Sequence, residues 1–354
     1  MYRSRSFAPA LALLALLVPF LGGAGCSADN DLVLADAALD AQAAADGKAY
    51  LVDRVEALHD HLEALCKAAP APAADGWVSP RDTPAIQAMR ASWHEARRAH
   101  QALEGVLLLH FPDLAASLDG SYEDALAAGP DPELVDDRGF TGLHAIERIL
   151  WADRMPAGVA KEEAALPGAL PAAFPSTEEQ AIDFRDELCA GAVHDAEELE
   201  AAIEGLPLGS PEIQAIAREL VEIQADRVIE AGEGHPSSPY AGRSLLDLTD
   251  GLAAARAMHE VFLPWLATKA EGPHVAAEAA DAFDRLAMRY MAAGVDALPA
   301  PPSGWSDTAY NDEQLQSPFG LIFMAVMNET NLGIDGSVAH SVEEAGALLG
   351  VDGD

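Results

Sequence analysis

The sequence predicts an all-α protein with two packed four-helix-bundle-like halves. Apolar residues recur at three- and four-residue steps along most of the chain, which is the period of an amphipathic helix. Ala, Leu and Glu dominate the composition of the helical segments, and segments with the alternating pattern of a strand are nearly absent. About 300 residues of helix exceed the core of one small bundle, so two packed halves are expected.

The apolar period places the helices along the chain. The first two are marked by apolar residues on one face, from Leu51 to Leu65 and from Trp93 to Leu107. Further helices are predicted near 142–152, 177–204, 210–231, 244–269, 273–293 and 318–330. Stretches that contain Pro and Gly, which interrupt helices, separate them at 70–84, 154–176, 232–242 and 299–306.

Four regions follow from this order. Residues 1–25 are predicted to be a lipoprotein signal peptide. Residues 26–47 are rich in Ala and Asp and contain no aromatic side chain, which predicts a flexible tether, with some helix at its end as an alternative. The N-terminal helical half then covers residues 48–207 and the C-terminal half covers residues 208–350, with the boundary near Gly205–Ser210.

A secretory signal is indicated at the start of the chain. Arg3 and Arg5 form a basic segment, an apolar run covers residues 11–21, and small residues lead to Cys26. The run is shorter than the ~20 apolar residues that span a bilayer as a helix. The residues that end at Cys26 resemble the lipobox of bacterial lipoproteins, in which the cysteine is acylated, although Gly23 stands where Leu is usual.

We therefore expect cleavage before Cys26, acylation of that cysteine and a lipid anchor in the cell envelope. Ser27 rather than Asp after the cysteine favours the outer membrane of a Gram-negative cell, facing the periplasm. The alternative is an ordinary secreted protein that is cleaved nearby. Cys66 and Cys189 remain, and an exported compartment permits a disulfide between them without proving one.

The chain carries a formal net charge of −37. This charge repels nucleic acid and anionic lipid head groups, so neither is a plausible partner. Attachment to a membrane then depends on the lipid anchor alone. The charge suits the capture of cations, although solubility or adaptation to salt explains most of the acidic residues equally well.

His144 and Glu147 form the most informative pair of residues in the sequence. They lie three residues apart, so on a helix they share one face. Helical bundles hold metal ions with a carboxylate and a histidine at this spacing, facing ligands from other helices. The alternative for such a pair is a surface contact or a buried histidine that is satisfied by hydrogen bonds.

The six residues from Gly142 to Glu147 resemble the G-x-H-x-x-E motif of the imelysin family, which includes the EfeO-type periplasmic proteins of bacterial iron uptake. Upstream, the residues from Trp93 to Glu104 are similar to the family's early helix, whose pattern is W-x-x-A-R-x-x-Y-x-x-x-E. His100 stands at the aromatic position of that pattern. The segments 111–120 and 237–251 are similar to the family's acidic loop and its second conserved block.

The resemblance implies a two-bundle helical fold with a metal site near the interface of its first helices. Carried over by position, His144 and Glu147 are the motif ligands, and Glu104 is the next contributor. Asp119 is a fourth candidate. Its competitors in the same region are Asp113, Asp136 and Asp137.

Mixed oxygen and nitrogen ligands favour iron, zinc or copper over calcium, because calcium seldom takes imidazole. We expect iron, with zinc or copper as alternatives, and haem as an alternative chelate. Methionine and aromatic residues within 288–291 and 319–327 recur at helical spacing and are predicted to fill the core. A haem cleft lined by them is the alternative.

The expected function is that of an envelope lipoprotein which binds a metal ion or metal chelate in iron or haem acquisition, with an envelope transporter or receptor as its protein partner. A metal-dependent envelope peptidase is the alternative, since some imelysin-family members have been described as peptidases. The H-E-x-x-H signature is absent, because His94-Glu95 is followed by His100 at the wrong spacing. A scaffold that kept the fold and lost the ion is the third hypothesis.

Overall fold

The computed structural model describes residues 28–120, 142–165, 170–294 and 296–351. Within these segments the chain forms helices and no strand, which confirms the predicted all-α class. The predicted signal peptide and Cys26 lie outside the described residues. In the described part of the chain, no helix is both long and apolar enough to span a bilayer.

The N-terminal part contains two long helices and several short ones. They are α1 (Ala28–Ala68), α2 (Thr83–His110), α3 (Pro112–Asp119), α4 (Gly142–Leu150), α5 (Ala157–Ala164) and α6 (Glu178–Asp183). α6 continues through a π-helical segment, Phe184–Cys189, into α7 (Ala190–Gly205).

The remaining helices range from 4 to 24 residues in length. They are α8 (Ser210–Glu233), α9 (Ser244–Glu260), α10 (Leu263–Leu266), α11 (Gly272–Ala293), α12 (Asp312–Leu315), α13 (Pro318–Glu329) and α14 (Val338–Leu349). The segment predicted as one helix over 244–269 is divided between α9 and α10. Pro264 lies in the first turn of α10, where its missing N–H is tolerated, so a new helix starts there.

The prediction of a flexible tether over residues 26–47 is wrong from Ala28 onward, because α1 begins at that residue. Ala43 is buried, and a Cβ atom on Gly47 would lie 2.7 Å from Cγ2 of Ile213 on α8. The Ala-rich composition that suggested a tether has the highest helix propensity of any. Contacts with α8 then order the segment, which therefore belongs to the folded body.

The disulfide that the sequence left open is present. Cys66, near the end of α1, is bonded to Cys189, at the end of the π-helical segment, across 123 residues of sequence. α1 also packs along α2 and α7. The bond therefore fastens the first long helix to the helix that closes the N-terminal part.

α2 lies at the centre of the fold and positions the site. It packs against α1, α3 and α4 from the N-terminal part and against α8 and α9 from the C-terminal part. α7 ends at Gly205 and α8 begins at Ser210. A division into two halves at this point stays a prediction, because α2 contacts helices on both sides of it.

The predicted core role of the late methionine and aromatic residues holds for the aromatic residues. Tyr290, Phe319 and Phe323 are buried, whereas Met288 and Met291 are 56% and 69% exposed. The expectation that these two methionines fill the core is wrong, because they lie on the face of α11 that is turned to solvent.

Candidate metal centre

Three potential ligands converge between α2 and α3. His100 and Glu104 lie one turn apart on α2, and Asp119 is the last residue of α3. Each side chain offers one ligand atom, and these atoms all lie within 4.8 Å of one another. Nδ1 of His100 is 3.9 Å from Oδ2 of Asp119. The cluster therefore combines one imidazole with two carboxylates.

His100 is buried in the form that binds metal ions. Its side chain is 3% exposed, and neither ring nitrogen has a hydrogen-bond partner among the described residues. Burial lowers the pKa of His100 to about 4, more than the neighbouring Asp119 carboxylate raises it. The ring is therefore neutral near pH 7, and a buried, unsatisfied nitrogen beside two carboxylates is a feature that requires an explanation.

The motif helix α4 is placed against the end of α3 by its first residue. Gly142 has φ +61°, and a Cβ atom there would lie 2.1 Å from the carbonyl oxygen of Leu118. A side chain is therefore excluded on both conformational and steric grounds. Trp93 of α2 donates a 2.9 Å hydrogen bond from Nε1 to the carbonyl oxygen of Leu143. These two contacts bring His144 next to Asp119.

His144 faces hydrogen-bond acceptors on both sides of its ring. Nδ1 lies 3.1 Å from Oδ1 of Asp119 and 3.1 Å from the carbonyl oxygen of Gly120. Nε2 lies 2.6 Å from the carbonyl oxygen of Ser237. Burial acts to lower the pKa of His144, but the Asp119 and Glu147 carboxylates and the contact with the carbonyl oxygen of Ser237 together raise it. Both nitrogens then donate, so in this arrangement the ring is an imidazolium that holds Asp119 and the Ser237 loop.

Arg97 connects the acidic groups behind the cluster. Its side chain is fully buried. The guanidinium forms an ion pair with Asp119, lies 3.5 Å from Oδ2 of Asp247, and donates a 3.1 Å hydrogen bond to the carbonyl oxygen of Ser237. Burial acts to raise the pKa of Asp119, but Arg97 and His144 hold it well below its usual range. Asp119 is therefore ionised, as a metal ligand must be.

The side chain of Glu147 contacts the loop after α8 and not the ligand cluster. Its side chain has no exposed surface, and its Oε1 accepts hydrogen bonds from the backbone N–H groups of Tyr240 at 3.0 Å and Ala241 at 2.6 Å. Oε2 has no partner among the described residues. Burial raises the pKa of Glu147 to about 7. Ser237 and Ser238, in the same loop, donate their hydroxyl hydrogens to Asp247, so side chains hold this loop at both ends.

The structure therefore brings together part of the predicted ligand set. Glu104 and Asp119 lie in the cluster, and His144 contacts Asp119. Oε1 of Glu147 instead accepts hydrogen bonds from the backbone N–H groups of Tyr240 and Ala241. His100 was missed as a ligand, although its spacing of four residues from Glu104 on a predicted helix was the signal. Of the competing acids, Asp113 is exposed at the start of α3, and Asp136 and Asp137 lie outside the described residues.

Comparison with known proteins identifies the family. The model of the imelysin family, designated Peptidase_M75, matches residues 41–315, so the chain belongs to the imelysin family, as the motif residues indicated. A solved structure, an imelysin-like protein from Psychrobacter arcticum 273-4, is 15% identical and aligns over 94% of this chain and 100% of its own, with a TM-score of 0.49. No curated protein matches the sequence.

Proposed function

We propose that this imelysin-family protein binds a transition-metal ion through His100, Glu104 and Asp119. Iron is the favoured ion, and zinc or copper are the alternatives. The observation that supports this most strongly is His100, whose two buried ring nitrogens have no partner among the described residues and which lies beside two carboxylates.

The residues present fit such an ion. Metal–ligand bonds of about 2.0–2.2 Å bring ligand atoms within about 4.4 Å of one another, so a small inward movement of these side chains closes the site. One imidazole and two carboxylates suit iron or zinc, whereas calcium takes oxygen ligands almost alone. Glu104 forms an ion pair with Arg227, and the incoming cation would replace that guanidinium.

His144 and Glu147 support the site in this proposal. His144 would become a direct ligand only by losing a proton and one of its two carbonyl contacts, to Gly120 or Ser237. Groups that orient ligands typically change metal affinity by 10–100-fold when removed. Loss of a direct ligand lowers metal affinity by more than this. The size of the loss in variants of His144 and Glu147 therefore distinguishes a supporting role from direct coordination of the ion.

Titration calorimetry with Fe²⁺, Zn²⁺ and Cu²⁺ tests the assignment. His100→Ala should weaken binding well beyond 100-fold, while Glu104→Gln and Asp119→Asn should weaken it strongly. The matched control is His259→Ala, since His259 is also buried with two unpartnered nitrogens, on α9. If His100→Ala binds like the control variant, the metal centre is wrong.

We further propose that the protein is lipid-anchored in the cell envelope and holds the ion, or a chelate of it, for an envelope transporter or receptor. The Cys66–Cys189 disulfide supports an oxidising, exported location. Cell fractionation of Cys26→Ser tests the anchor, because the variant should leave the membrane fraction. A processed variant that stays with membranes would exclude Cys26 as the anchor.

The described structure offers no feature that favours the peptidase alternative. Catalytic zinc sites usually combine three protein ligands such as three histidines, or two histidines and a glutamate, whereas this cluster contains one histidine. Incubation of the zinc-loaded protein with casein, with and without a chelator, should give no chelator-sensitive cleavage.

A further inference from the structure

A cavity of about 350 Å³ opens directly beside the proposed metal ligands. His100, Glu104, Asp119 and His144 line one part of it. The other walls come from α2, α3, α5, α8 and the loop that follows α8. The volume is equivalent to about a dozen water molecules at ~30 Å³ each, which is more than one coordinated ion requires.

The cavity changes from polar to apolar along its length. On α2, Leu107 and Leu108 line it about one turn beyond Glu104, on the same helical face. On α3 the order is reversed, because Pro112 and Ala115 precede Asp119 on the cavity face. His100 and Leu108 are separated by about 12 Å at 1.5 Å per residue. The two helices therefore place the metal ligands at one end and aliphatic side chains at the other.

The apolar end is partly open to solvent. Leu108 of α2 is 47% exposed and Val159 of α5 is half-buried, whereas Leu107 and Ile223, which also line the cavity, are buried. The water molecules around a hydrated ion are not stabilised by contact with such a surface. An organic group is stabilised by about 25 cal/mol for each Å² of apolar area that is buried. The wall thus fits the body of an organic ligand.

The charges around the cavity select against anionic ligands. Asp226 and Glu230 are exposed acids of α8 that line it, in addition to Glu104 and Asp119. Against these four carboxylates the lining contains, among the described residues, one arginine and no lysine; the arginine is Arg227, which the ion would release from Glu104. A polyanionic chelator such as citrate would meet this negative rim and be repelled.

We infer that the ion is bound together with a compact, uncharged organic chelator. The donor atoms of the chelator complete the coordination of the ion, and its apolar body packs between Leu108, Ala115 and Val159. This inference rests on the proposed metal site. A cavity of this size lies at the lower end of the ~300–1,000 Å³ typical of ligand pockets, which favours a chelator of one or two rings over a macrocycle such as haem.

Calorimetry with three copper probes tests the inference: aqueous Cu²⁺, the 1:1 complex of Cu²⁺ with 2,2′-bipyridine, and Cu²⁺ with citrate. The wild-type protein should bind the bipyridine complex at least about tenfold more tightly than aqueous Cu²⁺, because the rings bury apolar surface. Copper citrate should bind more weakly than either.

Two variants locate the effect. Ala115→Trp fills the apolar end and should lower affinity for the bipyridine complex at least about tenfold while leaving aqueous Cu²⁺ within about threefold. Leu108→Glu, at a half-exposed position, should act in the same direction. Ala91→Trp, at an exposed α2 position that is not in the cavity lining, is the matched control, and circular dichroism confirms folding.

The outcomes are distinguishable. If the bipyridine complex binds no more tightly than aqueous Cu²⁺, or if Ala115→Trp and Leu108→Glu leave its affinity unchanged, the chelator inference is wrong while the ion site stands. If citrate enhances copper binding, the charge argument is wrong and the inference fails. If the wild-type protein binds none of the three probes, the proposed metal site itself fails.

Discussion

Oε1 of Glu147 accepts a 2.6 Å hydrogen bond from the backbone N–H of Ala241. The contact joins the motif helix α4 to a loop that follows α8. Ser237 of that loop accepts a hydrogen bond from Nε2 of His144 through its carbonyl oxygen and lines the cavity. The histidine and the glutamate of the motif thus hold the same loop at two points, and the loop forms one wall of the metal centre.

Replacement of Glu147 should loosen the site without destroying it. We expect Glu147→Ala to weaken metal binding by about 10–100-fold, because it frees the backbone at 240–241 but removes none of the three proposed ligands. Glu147→Gln keeps an acceptor oxygen, so its metal affinity should lie between those of Glu147→Ala and the wild-type protein. Calorimetry with Zn²⁺ measures both. Complete loss of binding in Glu147→Ala, as expected for His100→Ala, would instead make Glu147 a direct ligand.

The same carboxylate should make stability depend on pH. Burial raises the pKa of Glu147 from 4.5 to about 7, so the folded state holds a proton that the unfolded state releases. Stability from this group is complete below pH 4.5 and is lost as pH rises towards 7 and above. The melting temperature of Glu147→Gln relative to wild type should therefore be higher at pH 8 than at pH 5. A difference that does not vary with pH contradicts this assignment.

His259 should destabilise the protein at acid pH, in contrast to Glu147, which should destabilise it as the pH rises. It is 2% exposed, has no partner for either ring nitrogen among the described residues and lies beside Phe283, at 6.0 Å between ring centres. Burial lowers its pKa from 6.5 to about 4. The unfolded chain takes up a proton below pH 6.5 and the folded chain does not, so stability falls between pH 6.5 and 4.

His259→Phe removes this contribution, which we expect to be about 3 kcal/mol at pH 4.5. Urea unfolding at pH 7 and at pH 4.5 measures it, and the variant should lose less stability than wild type on acidification. Equal losses in the two proteins would mean that the ring is protonated in the folded state.

Arg97 should be essential for folding around the site. Removal of one member of a buried ion pair typically costs about 3–5 kcal/mol, because the remaining charge is left without compensation. Arg97→Met removes the guanidinium that Asp119 and Asp247 share and should lower stability by about that amount. Arg97→Lys keeps the charge and should recover part of the loss. Chemical denaturation measures both, and a Met variant as stable as wild type would contradict the pairing.

The Cys66–Cys189 disulfide should stabilise the N-terminal part. Closure of a loop of 123 residues corresponds to about 3–5 kcal/mol. The double substitution of both cysteines by Ser should lower the melting temperature to that of the reduced wild type. A reducing agent should leave the melting temperature of the double variant unchanged. A wild-type protein that is indifferent to reduction would contradict the bond.

The sequence by itself determined the helices and the family. The period of apolar residues is a local property, since residues three or four apart meet on one helical face whatever surrounds them. The segment from Gly142 to Glu147 could therefore be assigned both to a helix and to a motif. The same local rule failed over residues 28–47, where a composition compatible with either helix or tether was decided by contacts with α8.

The tertiary structure decided which side chains meet. His100 and Glu104 lie on one face of α2 by local geometry, but Asp119 reaches them only because α3 packs back against α2. The roles of His144 and Glu147 depend on carbonyl and N–H groups about 93 residues away. A spacing in the sequence reports which face a residue occupies. It does not report which partner lies opposite that face, because packing between distant segments determines that partner.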